Sequence, residues 1–495
     1  MALLRIKNPE QLKQCKPGEI GRIIGLDRIP EVKCLREKLD LITRQQKATH
    51  LNNILVDHWY GGESSRDADF LYIDGHVRVY YGAEANLPTK YVSRQKLCLS
   101  ATTEYWVNDA RGMPVLMVMG ELTDKLQDAI EHQIIPQLQE AGLLPKPSPN
   151  DTTPINDTTP LLTLIFDREV YSPKFFRRLW EMYRIAIITY RKYVKDKWPV
   201  EGFQSTNVHV LDQQVIMQLC EQETVLDGSR FREIRRLSED GHQTPIVSTH
   251  PTLETASIAG RMFGRWSQEN FFRYLIADYD FDKMVSYGIE AVDPEKEIVN
   301  PEYRKVNYQL KKLREKIRRL EAGFFPLLQL TMDQPIDELP SITKKQIENR
   351  EKIDMLRKQE EELKRQRSQI PPRLKISQMP EQKRYNKLKT ESKIFMNVIK
   401  MICYRAESAV AQLIEPSLAK SENEKRMVVK QIIRSSADLT PDYENNTLTV
   451  TLHCLSANRF NMAALKLAQD LNETETIFPG TDLKMIFKIS AISNC

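Results

Sequence analysis

Three acidic residues stand where metal-dependent phosphodiester chemistry would need them. Asp74 lies within the strand-like run "FLYIDGHVRVYY", although aspartate is depleted from strand interiors. Asp167 follows the apolar run "LLTLIF", at the carboxyl end of a predicted buried strand, where open α/β sheets present ligands. Glu269 lies in the helical segment "FGRWSQENFFRYL". Carboxylate oxygens suit Mg²⁺ and Mn²⁺, and two such ions can hold the attacking and leaving oxygens of a phosphodiester.

Each of these acids also has a simpler interpretation. Asp74-Gly75 is a common hairpin dipeptide, so the pair could form a polar turn. If Asp74 is instead a ligand, we expect Gly75 to let DNA approach the backbone closely. Glu269 has Arg265 one turn before it and Arg273 one turn after it, a spacing that also produces ordinary ion pairs. In the functional interpretation both arginines contact phosphate.

Further side chains near the acids are candidate DNA contacts. Trp266 either belongs to the core or stacks on an unpaired base. His76 shares the strand face of Asp74, so it either contacts the scissile phosphate or forms structural hydrogen bonds. Two basic runs, "YRKYVK" and "REIRRLSEDGH", supply predicted phosphate contacts that position DNA without reading its sequence: Arg191, Lys192, Lys195, Arg232, Arg235 and Arg236.

The elements that would position these residues follow the order β-β-β-α-β-α-β up to residue 190. This is the element order of the ribonuclease-H-like fold, in which the first and fourth strands are neighbours. That adjacency would bring Asp74 and Asp167 together. We therefore predict an α/β protein with a ribonuclease-H-like mixed sheet, a β-strand insertion, helical flanks and a small C-terminal α/β unit.

Pattern changes along the chain divide it into six regions. The first is helical and is either a helix-turn-helix module or two packed helices without a recognition role. In the fifth, an apolar heptad seam accompanies eight Lys/Arg against two Glu over residues 301–320, as expected of a solvated helical hairpin or of a DNA-backbone contact. The regions are a helical N-terminal region (1–57), the first part of the core (58–203), a β-rich insertion (204–250), the core completed by the Glu269 helix (251–294), a basic helical hairpin with a long helix (295–420) and a small α/β unit (421–495).

Composition narrows the class of protein. The chain has 495 residues, of which 41% are hydrophobic and 28% charged, and its net charge of +5 permits a nucleic-acid partner without demanding one. No apolar run reaches the eighteen residues or so of a membrane span, and the N-terminal sequence lacks a signal-peptide core. The seven cysteines never form Cys-x-x-Cys, which argues against a disulfide framework or zinc site and favours a reducing cytoplasm.

The set "YIDGHVRVYYG", "LIFDREVYSP" and "RWSQENFFRY" resembles the DDE transposases of bacterial insertion sequences, over roughly residues 60–290. Asp74, Asp167 and Glu269 match the catalytic triad of that family. Arg265 matches the Arg of its Tyr-x2-Arg-x3-Glu-x6-Lys signature, whereas Met262 and Ile276 replace the Tyr and the Lys.

The resemblance implies an enzyme that hydrolyses a phosphodiester at the end of a DNA element and joins the freed 3′-hydroxyl to target DNA. It further implies two Mg²⁺ or Mn²⁺ ions, double-stranded DNA as partner, a homodimer in a synaptic complex and a bacterial, nucleoid-associated location in the cytoplasm. Two alternatives remain: a non-catalytic or domesticated DNA-binding protein, and a ribonuclease-H-like nuclease that cuts without joining.

Overall fold

A computed structural model describes residues 1–61, 66–120, 122–146, 159–194, 196–211, 213–281, 288–333, 339–414 and 422–490. Within these ranges, the side chains of residues 23, 66–67, 266–268, 323–333, 339–347 and 422–423 lie outside the description.

A mixed sheet of ten strands forms the frame of the molecule. In space the strands follow the order β2-β3-β1-β5-β6-β10-β9-β8-β7, and β4 pairs with β3. The strands are β1 (Phe70–Val79), β2 (Thr89–Val92), β3 (Leu97–Asn108), β4 (Pro114–Gly120), β5 (Leu162–Phe166), β6 (Ile185–Tyr190), β7 (Gln204–Val210), β8 (Gln213–Leu226), β9 (Ser229–Leu237) and β10 (Gln243–Ser248).

Helices cover both faces of this sheet, and further helices extend from it. They are α1 (Pro17–Ile23), α2 (Val32–Thr43), α3 (Ala48–Tyr60), α4 (Leu126–Ala129), α5 (Ile135–Glu140), α6 (Pro173–Tyr183), α7 (Thr255–Phe263), α8 (Trp266–Tyr279), α9 (Pro301–Asp333), α10 (Leu339–Gln369), α11 (Glu391–Ile414), α12 (Glu422–Arg434) and α13 (Asn458–Glu473). A π-helical segment (Ile130–Ile134) joins α4 to α5.

The central strands have the predicted neighbours. β1 runs antiparallel to β3 and parallel to β5, and β5 is parallel to β6. All five residues of β5 are buried and all except Thr163 are apolar, as expected for a parallel strand covered on both faces. The mixed sheet with its helices confirms the predicted α/β class and is consistent with a ribonuclease-H-like fold; the short β2 is an addition to the predicted order.

Alternation along β1 and β5 determines which helices each residue meets. Ile73, Leu164 and Phe166 join the core layer formed with α3 to α6. Tyr72 and Ile165 join the opposite layer, formed with α7. Successive strand residues point to opposite faces. The side chains at positions 74 and 167 therefore belong to the face that α7 covers and α8 continues.

The predicted β-rich insertion continues the core sheet. Its last strand, β10, pairs antiparallel with β6, Ile246 lying opposite Tyr190. Strands β7 to β9 then extend the same sheet to its far edge. The insertion thus contributes strands β7 to β10 to the same sheet as the core strands.

In the N-terminal region, α3 contributes to the core. Val56 of α3 is fully buried in the same layer as Ile73, and the Asn52 side chain donates to the carbonyl of Val115 on β4. α3 is thus packed against the sheet, and the choice between the two alternatives for the preceding helices α1 and α2 stays a prediction.

Beyond the sheet, α9 and α10 form the predicted helical hairpin. Two small antiparallel pairs join the segments that flank it: β11 (Ile289–Ala291) with β14 (Asn386–Leu388), and β12 (Glu297–Val299) with β13 (Arg373–Lys375).

The C-terminal unit contains a three-stranded sheet, β15 (Ala437–Asp442), β16 (Thr447–Leu452) and β17 (Lys484–Ile489), in which α13 connects the parallel pair β16 and β17. Cys454 of this unit is disulfide-bonded, whereas Cys15, Cys34, Cys98, Cys220 and Cys403 are free. Of the helices in the described ranges, none combines the length and apolar character of a membrane span.

Candidate active site

Strand pairing brings two of the predicted acids together. Ile73 lies opposite Phe166 in the parallel pair of β1 and β5, so Asp74 and Asp167 occupy the next position on each chain. Both acids contact the same guanidinium. Arg265 Nη1 lies 3.6 Å from Asp74 Oδ2, and Arg265 Nη2 lies 4.0 Å from Asp167 Oδ2. The two carboxylates therefore share one counter-ion.

Backbone amides orient both carboxylates. The amide of Gly75 donates to Asp74 Oδ1 at 2.9 Å, and the amide of Arg168 donates to Asp167 Oδ1 at 2.7 Å. Asp167 also begins a short 3₁₀ helix, Arg168–Val170, which takes the chain away from the sheet. With Oδ1 held by an amide in each case, Oδ2 is the oxygen that faces the arginine.

The pKa of Asp74 is raised above its usual value. Burial is the main cause, because it disfavours the charged form. Arg265 and the amide of Gly75 oppose the shift, whereas the charges of Asp167 and Glu269 add to it. All three predicted acids therefore lie within electrostatic reach of one another. Such a cluster is stabilised by a cation.

Arg265 and Glu269 are placed by a helix break. α7 ends at Phe263, Gly264 follows, and α8 begins immediately after Arg265. Glu269 lies in the first turn of α8 and its side chain is exposed. Neither Arg265 nor Arg273 forms an ion pair with Glu269 within the described part of the chain. The structure therefore does not contain the two Glu–Arg ion pairs of the simpler interpretation of Glu269.

A cleft of about 700 Å³ runs beside the acids. One side is apolar, with Phe272 as its largest member. The charged residues around it include two cations, Arg94 from the turn after β2 and Arg273 from α8. Its lining includes Asp74, His76, Arg94, Glu269, Phe272 and Arg273. Asp74 and Glu269 therefore face a common space that is large enough for part of a substrate.

The donor set fits a hard divalent cation in its chemistry, because carboxylate oxygens are the ligands that Mg²⁺ and Mn²⁺ prefer. Within the described residues, however, no three His, Cys, Asp or Glu side chains have converged into a metal-binding group. The positive charge at Asp74 and Asp167 is supplied by Arg265. Binding of a metal ion by all three acids would therefore require side-chain movement.

Glu169 is a fourth acid near the site that the sequence did not single out. Its Oε2 lies 3.7 Å from the position that a Cβ on Gly75 would occupy, and the Tyr105 ring lies 3.1 Å from that position. Burial, followed by the charge of Asp74, raises the pKa of Glu169, while Lys90 and Lys192 lower it. The bare face of Gly75 thus accommodates Tyr105 and Glu169, which corrects the expectation that it faces DNA.

His76 is mostly buried and lies between two aromatic rings. Its ring centroid is 5.6 Å from that of Phe272 and 4.9 Å from that of Phe281. It also lines the cleft two residues from Asp74. Stacking therefore accounts for its position, and its edge remains near the acids. Trp266 begins α8, but its side chain lies outside the described residues, as does the whole of Lys195.

The predicted phosphate contacts on β9 are mostly structural. Arg235 is fully buried, pairs with Glu233 at 2.8 Å and Asp196 at 2.9 Å, and lies over the Trp198 ring. A side chain so enclosed has no donor left for DNA, so the prediction for Arg235 is wrong.

The other arginines of the two basic runs also have intramolecular partners. Arg232 pairs with Glu221 at 2.6 Å, and Arg191 pairs with the buried Glu233. Arg236 lies over the Phe263 ring at 4.9 Å. Lys192 differs, because its charge acts on Glu169 beside the acids. Among the described residues of the two runs, Lys192 therefore acts on the candidate site through Glu169.

Comparison with known proteins supports this description at the level of the family. A family model described as "Transposase protein" matches residues 1–491. No curated protein and no solved structure gives a significant match. The match spans the sheet, the acid-bearing elements, the hairpin and the C-terminal unit. The chain therefore belongs to this transposase protein family.

Proposed function

We propose that the protein is a DDE-type transposase that hydrolyses a phosphodiester at the ends of a DNA element and transfers the freed strand into target DNA. The supporting observation is the arrangement of Asp74 and Asp167 at adjacent positions of neighbouring parallel strands. Arg265 contacts both, and Glu269 lies one helical turn further along. This arrangement gathers negative charge at a cleft mouth in a chain of the transposase family.

Asp74, Asp167 and Glu269 would hold Mg²⁺ or Mn²⁺, two ions in our proposal. When bound, such ions activate water and stabilise the charge of the phosphoryl transition state. The chain contributes the rest. Gly75 and Arg168 fix one oxygen of each aspartate through their amides and leave the other oxygen, which faces Arg265, for a metal ion. Burial of Asp74 disfavours its charge, which strengthens its preference for a cationic partner.

The cleft residues would position DNA. Arg94 and Arg273 line the cleft and can pair with phosphate oxygens. Phe272 and the apolar wall exclude water from one side, which strengthens the charge interactions in the cleft. We propose double-stranded DNA as the partner and a homodimer as the form that brings two DNA ends together.

The test is metal-dependent cleavage of a labelled DNA end. Asp74→Asn, Asp167→Asn and Glu269→Gln should each lower the rate by at least about a thousandfold, because each removes a proposed metal ligand. Glu254→Gln is the matched control: this acid precedes α7 and makes no side-chain cap, so its removal should leave the rate unchanged. Full activity of Asp74→Asn would overturn the assignment.

Joining is tested separately from cutting. A pre-cleaved DNA end with a free 3′-hydroxyl is incubated with a supercoiled target plasmid. Appearance of joined product would support a transposase, whereas cleavage without joining would support a nuclease. A folded protein that binds DNA but does neither would support a non-catalytic DNA-binding role.

A further inference from the structure

One face of α9 carries a row of cations. At 100° per residue, the apolar residues Leu310, Leu313, Ile317 and Leu320 fall on one side of this helix, where Ile317 packs against Ile353 and Leu356 of α10. The opposite side carries what we call the α9 basic stripe. All its members are exposed, and they are Arg304, Lys305, Lys311, Lys312, Lys316, Arg318 and Arg319.

The acids of the helical hairpin form ion pairs with cations that lie outside the α9 basic stripe. Arg314 pairs with Glu360 at 2.8 Å, and Arg357 pairs with Glu321 at 2.9 Å. Lys364 also pairs with Glu360, at 3.2 Å. The first two pairs join the two helices, whereas the third lies within α10, as do Lys364–Glu361 and Arg365–Glu362. Among the described residues, the ion pairs of the hairpin therefore lie between α9 and α10 or within α10, and none lies on the opposite side of α9.

The stripe itself has no such compensation. Among the described residues, none of its seven cations forms an ion pair, and Glu315 is the one acid on the same side of the helix. Tyr308 lies in the middle of the stripe with 58% of its surface exposed, and Lys312 lies 5.0 Å from its ring centre. Exposed like charges repel one another, so the stripe favours an anionic partner.

The stripe begins next to the candidate active site. Arg304 Nη1 donates to the carbonyl of Thr89 on β2 at 3.3 Å. The following residue, Lys90, lies close enough to Glu169 for each to shift the pKa of the other, and Glu169 adjoins Gly75. From Arg304 to Arg319 the stripe extends about 22 Å at 1.5 Å per residue. It thus leads from the acid cluster outward along the hairpin.

We propose that the α9 basic stripe binds the phosphate backbone of duplex DNA that leaves the active-site cleft. This inference rests on the proposed function and adds the surface that holds DNA at a distance from the reacting bond. About 22 Å corresponds to roughly six base pairs of duplex, each carrying two phosphates. Apart from the turn that contains Tyr308, each turn of α9 from Arg304 to Arg319 presents one or two cations to this phosphate array. The contact reads backbone charge and carries no sequence information.

The experiment measures DNA affinity of the full chain as a function of salt. Fluorescence anisotropy of a labelled duplex in EDTA excludes cleavage. The variant Lys305→Gln/Lys312→Gln/Lys316→Gln/Arg319→Gln removes four cations from the stripe. Each phosphate contact contributes about 0.9 to the slope of log K against log salt, so we expect the slope to fall by about 3 to 4.

A matched control removes the same charge from the other helix of the hairpin. Arg350, Lys352, Lys358 and Arg365 are exposed on α10 and interspersed with acids, so Arg350→Gln/Lys352→Gln/Lys358→Gln/Arg365→Gln should change the slope by less than about 1. Circular dichroism of both variants verifies that the hairpin is folded. A wild-type slope in the folded α9 variant, or equal losses in both variants, would overturn the proposal. Absence of DNA binding by the wild type would instead overturn the proposed function.

Discussion

Arg265 Nη1 lies 3.6 Å from Asp74 Oδ2, so the cation closest to the most buried acid of the site comes from the chain itself. The same side chain reaches Asp167, and only 15% of it is exposed. Arg265 therefore occupies the electrostatic position that a divalent cation would take. Binding of the proposed metal ion would therefore displace the guanidinium or be weakened by it.

This relationship predicts that Arg265→Gln increases affinity for Mn²⁺. Removing the competing positive charge should tighten binding by about tenfold, equivalent to about 1.4 kcal/mol. Isothermal titration calorimetry with Mn²⁺ in the absence of DNA measures the effect directly. Arg273→Gln is the control, since it removes the same charge one turn beyond Glu269 without contacting either aspartate. Equal affinity of the two variants would show that Arg265 does not compete.

The raised pKa of Asp74 makes stability depend on pH in a defined direction. An acid whose pKa is higher in the folded state binds more protons there than in the unfolded chain, so stability falls as pH rises from the usual aspartate value through the raised one. Above that window the destabilisation is constant. In EDTA, Asp74→Asn should therefore raise the melting temperature at pH 7, and the gain should disappear toward pH 4.

Differential scanning calorimetry across this pH range measures the effect. Asp354→Asn, an exposed acid on α10, is the control for loss of one charge and should show little change at either pH. A lower melting temperature of Asp74→Asn at pH 7 would show that Arg265 and the Gly75 amide outweigh burial.

Local pattern was sufficient to find the two aspartates that meet beside Arg265. Asp74 interrupts an apolar strand and Asp167 directly follows one. An acid in either position can be recognised from the sequence alone. Glu169 was missed because its relation to Asp74 exists only through the missing side chain of Gly75, a tertiary contact without a spacing rule. Arg235 was misassigned because its partner Asp196 lies 39 residues away in the sequence. Without that partner in the same segment, the arginines of β9 look like an exposed basic patch.

The sequence pattern also could not predict that the strands of the insertion extend the core sheet. Strand character in residues 204–250 was evident, but pairing of Ile246 with Tyr190 joins segments across a long connection. The same alternation fits a separate sheet equally well. Which edge a strand joins depends on non-local packing, here of Ile246 and Ile188 against Ile258 of α7.

A buried charge network connects β1 to α11 and should dominate local stability. Glu104 is fully buried on β3, with Arg78 of β1 at 3.1 Å and Lys393 of α11 at 3.7 Å. Lys393→Met should destabilise the protein by about 3–5 kcal/mol, because it leaves Glu104 with less compensation in a buried position. Urea unfolding measures the loss. Adding Glu104→Gln should restore part of it, and a double variant as unstable as the sum of the singles would contradict the coupling.

The N-terminal segment should position the Glu269 helix. Arg5 is buried, lies 2.6 Å from Glu407 of α11 and 3.3 Å from Asp278 of α8, and donates to the Tyr274 hydroxyl at 2.8 Å. That hydroxyl in turn donates to Glu407 at 2.8 Å. Arg5 thus joins the second half of α8 to α11. Its loss would leave Glu407 buried with less compensation and release the helix that carries Glu269.

We therefore expect Arg5→Gln to lower the free energy of unfolding, measured with urea, by about 3 kcal/mol. In the absence of urea, where the variant is folded, the substitution should lower the cleavage rate at saturating DNA while leaving DNA affinity in EDTA unchanged. Lys7→Gln is the matched control two residues away. Lys7 pairs with Asp280 at 3.0 Å, but its side chain is 29% exposed. Its substitution should therefore lower the free energy of unfolding by no more than about 1 kcal/mol and leave the cleavage rate unchanged. Loss of stability in Arg5→Gln with a wild-type cleavage rate would show that Arg5 stabilises the fold without positioning Glu269.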